Sequence, residues 1–431
     1  METIDPCEAP EGPNTQEGGG EHFLPRTLRY WAHHLRRAGW VSSEEEPSFL
    51  NLARILEARY YFEAHALLRE LRHTYEQLDP DLLGKDALSL DAERIASLTG
   101  AFLTQFEKIL QRANYRRLDR EQIEAAAKAA SDWGVYTQID LDAFDHLLVY
   151  ARGAGVFTRK RRRKLQPWKE EEVEVPHYER LVVAFSLKPG YRLNDAVRES
   201  AVYLKLFKEI PHSEVDSLLP CSAVRMSWFD RTRIALPTLS GVGFLLYKLY
   251  SLLLHGIAAV LSSAVSLLAF LGILGGTLGY GVRSFIGYLN TLNKYHLTLT
   301  RSLYYQNLDN NAGVLFRLLD EAAQQDLLEA LLGYWFLWKA GEAGLNEREL
   351  DRRVEAFLAE AGAGGIDFEV DDALRKLRES GIASVDGDRR WRARPLTEAL
   401  EQLDQQWNAL VEAHRQSPIP APADPPGKPT T

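Results

Sequence analysis

Cysteine is nearly missing from this chain of 431 residues, which holds only Cys7 and Cys221. Two thiols so far apart support neither a disulfide framework nor a thiolate metal site, and they suit a reducing compartment. Net positive charge is missing as well. The formal charge is −9, which excludes a whole-protein nucleic-acid binder and leaves basic patches to be judged one by one. The first twenty residues contain acids, Gly and Pro but no basic or apolar core, so they match neither a secretory signal nor an Arg-rich transit peptide. Catalytic signatures are lacking too. No His-Glu-x-x-His pair is present to hold zinc on one helix face, and neither His33 with His34 nor His177 with Glu179 has that spacing. There is no Gly-x-Ser-x-Gly elbow, Gly-rich phosphate loop or Gly-x-Gly-x-x-Gly fingerprint. Catalytic, cofactor-binding and metal-ligating residues are therefore left unassigned, and no cofactor is expected.

What the chain does contain is a long apolar stretch. Between Ile234 and Val282 the only charged side chain is Lys248, and His255 is the only other group titrating near neutral pH. A helix rises 1.5 Å per residue and needs about 20 apolar residues to cross a hydrocarbon core of about 30 Å. The stretch is long enough to cross twice, and it predicts a transmembrane helical hairpin with spans at about 236–254 and 257–280. Arg225, Arg231 and Arg233 precede the first span, and Arg283, Lys294 and Arg301 follow the second. Basic residues stay on the cytoplasmic side, so both termini are expected there, in a bacterial inner membrane or, in a eukaryote, an organelle membrane. Lys248 either snorkels to the far interface or is a buried functional cation. Gly272 with Gly276 and Gly275 with Gly279 permit close helix approach, to Gly241 and Gly243 of the first span or to a second copy.

The remaining chain predicts an α+β membrane protein in several parts. Residues 1–21 read as a disordered tail. Residues 22–140 read as a helical N-terminal region: a short helix with Leu28, Trp31 and Leu35 on one face, then a capping box of Ser43 with Glu46 ahead of a long helix to Leu78. Helices at 91–112 and 120–133 follow. Residues 141–233 read as a small α+β region with strands at 146–151, 173–175, 180–187 and 202–207. A helical stalk at 283–308 continues the second span through Phe285, Tyr288, Leu292, Tyr295 and Leu299, and needs a partner. Residues 309–415 read as a winged-helix-like region, with helices at 312–320, 323–340, 347–361 and 370–380, a hairpin about Asp386-Gly387-Asp388, and a last helix at 395–414. A Pro-rich disordered tail, 416–431, ends the chain.

Several charged groups invite a functional reading. In the strand ending at Phe207, Lys205 stands between Tyr203 and Phe207, a face that suits either an anion or a structural pair. The run Arg159, Lys160, Arg161, Arg162, Arg163 and Lys164 suits contact with anionic lipid headgroups, at about 1 kcal/mol per basic residue, or a solvated loop balanced by Glu170, Glu171, Glu172 and Glu174. RNA contact would require interleaved aromatics that are absent. Asp309-Asn310-Asn311 offers N-cap chemistry. In the winged-helix-like region the recognition position carries Asp371, Asp372 and Glu379 against Arg375, Lys376 and Arg378. Such a helix has no net charge for phosphate, so only the wing, with Arg389, Arg390, Arg392 and Arg394, is basic and nucleic acid is an unlikely partner.

Other stretches carry a family resemblance. They are Phe23-Leu24-Pro25, residues 148–153 (LVYARG), residues 202–211 (VYLKLFKEIP), Leu218-Leu219-Pro220, residues 236–241 (LPTLSG) and residues 303–311 (LYYQNLDNN). Through them the chain resembles the transmembrane protein 143 family, whose shared domain has no known function. The resemblance covers about His22 to Leu410 and implies paired spans in bacteria and in organelles of bacterial origin. Some plant relatives carry an aminopeptidase label, for which this sequence shows no motif. Lys205, Lys208, Asp309 and Asn310 are the polar residues of these stretches with the least obvious packing duty. The expected function is a membrane-anchored, non-enzymatic interaction or scaffold protein, with the bilayer and a protein partner or second copy as its contacts. Alternatives are a membrane-bound hydrolase with a dispersed site and a membrane-tethered DNA-binding regulator.

Overall fold

Apolar residues at three- and four-residue spacing form helices here because one face of each can be removed from water. In the computed structural model the described residues are 21–82, 91–123, 136–163, 166–188, 190, 201–220, 222–225 and 304–416, with scattered positions between 250 and 286. The chain divides into two units. The first comprises Met1–Arg116, Tyr150–Gly155 and Asn311–Thr431, and the second Arg117–Val149 and Val156–Asn310.

The first unit is helical. Helix α1 (Leu28–Arg37) buries Trp31 and Leu35, α2 (Glu46–Tyr75) buries Phe49, Leu52, Leu56 and Tyr60, and α3 (Ala92–Arg112) follows. The reciprocal capping pair before α2 uses Ser42 and Glu45, one residue ahead of the expected Ser43 and Glu46: Glu45 N–H donates to Ser42 Oγ and Ser42 N–H to Glu45 Oε2. At the centre runs α4 (Ala312–Ala340), whose residues from Gln325 to Leu337 are all buried. Two helices, 312–320 and 323–340, were expected, and one unbroken helix is found. The expected break at Glu321 and Ala322 is absent, and the polar Gln325, Asp326 and Glu329 within the helix each have a partner from another element. Leu315, Leu318, Leu327, Leu331 and Trp335 are buried on α4, which packs along α2. Trp335 meets Phe49 edge to face and donates its indole N–H to the Trp40 carbonyl.

After α4 come α5 (Glu347–Glu360), opened by a capping box of Asn346 and Glu349, then α6 (Val370–Glu379). A hairpin of β8 (Ala383–Val385) and β9 (Trp391–Ala393) precedes α7 (Leu396–Gln416). Leu345 adds a bridge to Trp391, and beside it Gly344 takes φ +60°, where a Cβ would lie 2.6 Å from the Trp391 carbonyl oxygen. Only glycine lets the two backbones approach there.

The second unit is built on strands of a five-stranded sheet, β1 (Arg116–Arg117), β3 (Phe144–Arg163), β4 (Gln166–Leu187), β5 (Tyr203–Pro211) and β7 (Asn307–Asn310) in the order β1-β3-β4-β5-β7, of which Arg116 and Tyr150–Gly155 belong to the first unit. A two-stranded sheet pairs β2 (Tyr136–Ile139) with β6 (Ser222–Arg225). The expected strands 173–175 and 180–187 are one strand, β4. It pairs antiparallel and in even register with β5, from His177 opposite Pro211 to Phe185 opposite Tyr203, and Phe185 stacks on Tyr203.

The expected transmembrane hairpin is corrected. Among the described residues no helix is long and apolar enough to cross a membrane. The long helices α2 and α4 carry charged residues along their length, among them Arg54, Glu57, Arg59, Asp320, Asp326 and Glu329, and charges in a span are costly. The two expected spans lie outside the described residues except at Tyr250, Leu268, Gly272, Gly275, Gly276 and Gly279, which are helical and exposed. The integral membrane location and the cytoplasmic placement of both termini rested on that hairpin and are not supported. What stands is an α+β fold. Of the expected stalk, Phe285, Tyr288, Leu292, Tyr295 and Leu299 lie outside the described residues, as does most of the helix expected at 120–133, of which only 120–123 are seen, as helix.

Two of the stretches behind the family resemblance meet inside the first unit. Arg152 is 4% exposed, with its guanidinium 3.9 Å from the Phe23 ring centroid and 4.4 Å from that of Tyr115. It donates to the Ala113 carbonyl and pairs with Glu321 at 2.8 Å. Leu24 is tied by its N–H and carbonyl to the Gln325 side chain. Removing the cation alone leaves Glu321, 13% exposed, without the charge of Arg152, and losses of this kind run up to about 3–5 kcal/mol. Arg152→Met is therefore expected to lower the urea-unfolding midpoint by that free energy, whereas Arg375→Ala, on an exposed surface, should shift it by less than about 1 kcal/mol.

Candidate functional site

The densest group of charges in the first unit surrounds Lys376. Helix spacing places Asp326 and Glu329 three apart on one face of α4, and Asp372 and Lys376 four apart on α6. Where the helices pack, Lys376 Nζ lies 2.6 Å from Asp326, 2.5 Å from Glu329 and 2.6 Å from Asp372. Arg112, from the end of α3, also pairs with Asp326, and Asn114 donates to Glu329 at 3.1 Å. The Asp326, Glu329 and Lys376 side chains are 0%, 2% and 6% exposed. Burial alone would lower the pKa of the ammonium, but the carboxylates of Glu329, Asp326 and Asp372 outweigh it and hold Lys376 charged well above its ordinary range. Burial pushes Glu329 up to about 7 against the pull of Lys376, with Asp326 and Asp372 adding to the rise. Three carboxylates at this spacing could hold a metal ion, but the lysine ammonium touches each of them and serves as their cation.

A second carboxylate group lies on α5 and the loop after it. Asp351, Glu355 and Asp367 each place an oxygen within 4.8 Å of the others. Asp351 Oδ1 is buried without a hydrogen-bond partner. Burial, then the charges of Glu355, Asp367 and Asp371, push Asp351 up to about 6. Oxygen ligands of this kind suit a hard divalent cation, and exposed acidic groups also occur without one.

The residues expected from sequence fall elsewhere, in the second unit. Lys205 donates to Asn310 Oδ1 at 2.9 Å across the β5–β7 pair, in which Asp309 stands opposite Leu206. Lys208 is three residues from Lys205 on a regularly paired strand, and alternation puts it on the other face, opposite Arg180. Lys205 and Asn310 are thus brought together, and Lys208 is not. Asn307–Asn310 form β7, while Asn311, at φ 48°, precedes α4 without a side-chain cap and donates to Asp81. The N-cap expectation for Asp309 and Asn310 is corrected accordingly, because their backbones are engaged in the sheet. Arg159 to Arg163 end strand β3 rather than a loop; nothing is described of their side chains, and Lys164 lies outside the described residues.

In the segment after α4 several basic groups are paired within the chain although they remain partly exposed. Arg390 donates to the carbonyls of Ala343 and Gly344 and reaches Glu349, and Arg392 donates to the Glu342 carbonyl and pairs with Asp386 at 2.9 Å. Arg375 pairs with Asp372 and Glu379 on its own helix. Reading the sequence missed both carboxylate groups. The available signal was Asp326 with Glu329 inside a helix otherwise made of Leu, Ala and aromatic residues.

Residues 144–313 match the family described as "Protein of unknown function (DUF3754)". The match spans less than half of the chain and contains several of the resembling stretches, including 202–211 and 303–311. No solved structure matches the chain.

The two carboxylate groups give opposite expectations for substitution. Lys376→Met leaves the buried Glu329 without a charge partner and should cost about 3–5 kcal/mol at neutral pH. Asp351 has a folded-state pKa above its unfolded value of 3.8, so its contribution favours folding in acid and is lost as pH rises towards about 6. Asp351→Asn should accordingly raise the melting temperature at about pH 7.5 and leave it nearly unchanged at about pH 4. Both follow from thermal and urea unfolding of the full chain.

Proposed function

We propose that this is a non-enzymatic interaction protein whose partner is a second copy of the same chain. The observation that carries the reading is a set of exposed apolar side chains on helical residues of the second unit, all within the matched stretch: Tyr250, Leu268, Val282, Ile286, Tyr304 and Tyr305, the last two 78% and 73% exposed. Contiguous exposed apolar groups mark contact surfaces, and these six fall in one stretch of the sequence, with the Tyr304 and Tyr305 rings in edge contact. Gly272, Gly275, Gly276 and Gly279 lie in the same segment with open space where a Cβ would stand, which suits close approach of another helix. Kinship with the transmembrane protein 143 family belongs to this proposal for the resembling stretches alone, without the paired spans.

The DNA-binding alternative is disfavoured by the internal pairing of Lys376, Arg375, Arg390 and Arg392. The hydrolase alternative draws no support from Lys205, Lys208 and Asp309, since Lys208 lies on the opposite strand face. Light scattering on the purified full chain tests the proposal. The expected result is a dimer or larger assembly at micromolar concentration that Ile286→Asp with Tyr304→Asp shifts toward the monomer mass. A wild-type chain that is monomeric up to about 100 μM would remove the proposal, since that concentration corresponds to only about 5.5 kcal/mol of association free energy. Tight duplex-DNA binding with a steep salt dependence would favour the DNA alternative instead.

A further inference from the structure

Residues 22–25 carry no regular structure, yet the segment from Glu21 to Leu24 is held in the first unit as a ligand is held in a groove. Glu21 forms a parallel bridge with Ile366 in the loop after α5, its N–H donating to the Gly365 carbonyl and its carbonyl accepting from the Asp367 N–H. Its carboxylate accepts from the Gly153 N–H at 3.0 Å, and the His22 carbonyl accepts from the Asn114 side chain. Phe23 offers its ring to the Arg152 guanidinium, and Leu24 is tied by both of its backbone groups to the Gln325 side chain. Strand addition combined with side-chain contacts is a general mode of peptide recognition. Here the peptide belongs to the chain itself. The groove is not built to stand empty: Gln325 is 1% exposed, and without the segment both ends of its buried amide lose these partners, a costly state. The joint that seats the segment is strained as well. Between Pro25 and the start of α1 at Leu28 lie only Arg26 and Thr27, and Arg26 takes φ 82°, a conformation that costs any residue except glycine.

We propose that residues 21–25 are an exchangeable strap: two copies of the chain trade these segments, each seating its Glu21, Phe23 and Leu24 against Ile366, Arg152 and Gln325 of the other.

The same contacts form whether the strap seats in its own groove or in that of a second copy, so exchange sacrifices none of them. The balance is then set by concentration and by the joint. Opening lets Arg26 leave the left-handed region, and in an exchanged pair this happens at both joints, so the relief counts twice. Short joints under strain favour exchange for this reason. An unrelated peptide would have to supply a carboxylate, a ring and paired backbone groups at fixed spacing, whereas a second copy brings them by identity. Exchange rests on the reading of a second copy as the partner, but it uses the first unit rather than the surface that contains Ile286 and Tyr304.

The test is disulfide trapping in the full chain, with Cys7 and Cys221 replaced by Ser. Glu21→Cys in one sample and Ile366→Cys in another put thiols on the two sides of the bridge; the samples are mixed, unfolded in urea, refolded together and oxidised. The expected product is a mixed disulfide in clear excess over that formed by Glu21→Cys with Ser384→Cys, an exposed position. Arg26→Gly, which removes the strain, should lower its yield by about fivefold or more, and Arg26→Pro, whose ring excludes a positive φ, should raise it. Retention of the product in Ile286→Asp with Tyr304→Asp supports exchange apart from the surface of the second unit. Closure of Glu21→Cys with Ile366→Cys within a single chain, with no mixed product, overturns exchange, and a wild-type dimer by light scattering would then leave the second-copy reading standing. If the cysteine variants fail to refold, light scattering decides: Arg26→Pro should move the chain toward the dimer mass and Arg26→Gly toward the monomer, and equal masses in the two overturn the proposal.

Discussion

Lys376 is the point on which the first unit depends. Its ammonium joins Asp326 and Glu329 of α4 to Asp372 of α6, while Arg112 brings in the end of α3. Burying so many charges is justified only when each is paired, because an isolated ion in the interior costs several kcal/mol. The cluster therefore specifies how these helices meet: a slipped α6 would leave Glu329 and Asp326 without the ammonium, an error far more costly than the loss of an apolar contact. Apolar burial along α4 and α2 supplies the nonspecific part of the stability, at about 1.5–3 kcal/mol for each large side chain. The charges supply the register.

A second fixed point is Arg152. A guanidinium between two aromatic rings, with its donors on a carbonyl and a carboxylate, is a geometry that lysine cannot reproduce. It gathers residues distant in sequence, Phe23, Tyr115 and Glu321, around one buried side chain. The resembling stretches about Phe23 and Arg152 therefore have a packing explanation. Charge in this unit also serves assembly: Arg390 and Arg392 tie the hairpin to the carbonyls of Glu342, Ala343 and Gly344 between α4 and α5, and Lys339 holds Glu45 beside Trp335 and Trp338.

The helices of the first unit were legible because their apolar spacing is strong: Trp31 with Leu35, and Phe49, Leu52 and Leu56, fall on buried faces. The run of helices, a hairpin and a last helix after Asn311 was legible for the same reason, helped by Asp386-Gly387-Asp388 at the turn, although the first helix was split in two. Strand ends were less so. Local polarity between Val175 and Arg180 read as a gap, yet β4 continues through it, because backbone pairing with β5 does not depend on which side chains are apolar. The membrane hairpin was inferred from hydropathy alone, and hydropathy reports that a segment must leave water without saying what covers it.

Composition and periodicity determined that this chain would make amphipathic helices and a sheet, because burial of an apolar face is a local property of spacing. They also determined that no thiol framework could hold it. Tertiary structure alone decided the fate of the polar residues. Gln325, Asp326 and Glu329 are polar residues in an expected helix that turn out to be buried with partners from other elements, and Lys376, read among the charges of a recognition helix, is the buried partner of three carboxylates. The physical reason is that the free energy of a buried charge is set by the groups placed around it, and those groups come from α3, α4 and α6, separated by up to hundreds of residues of chain.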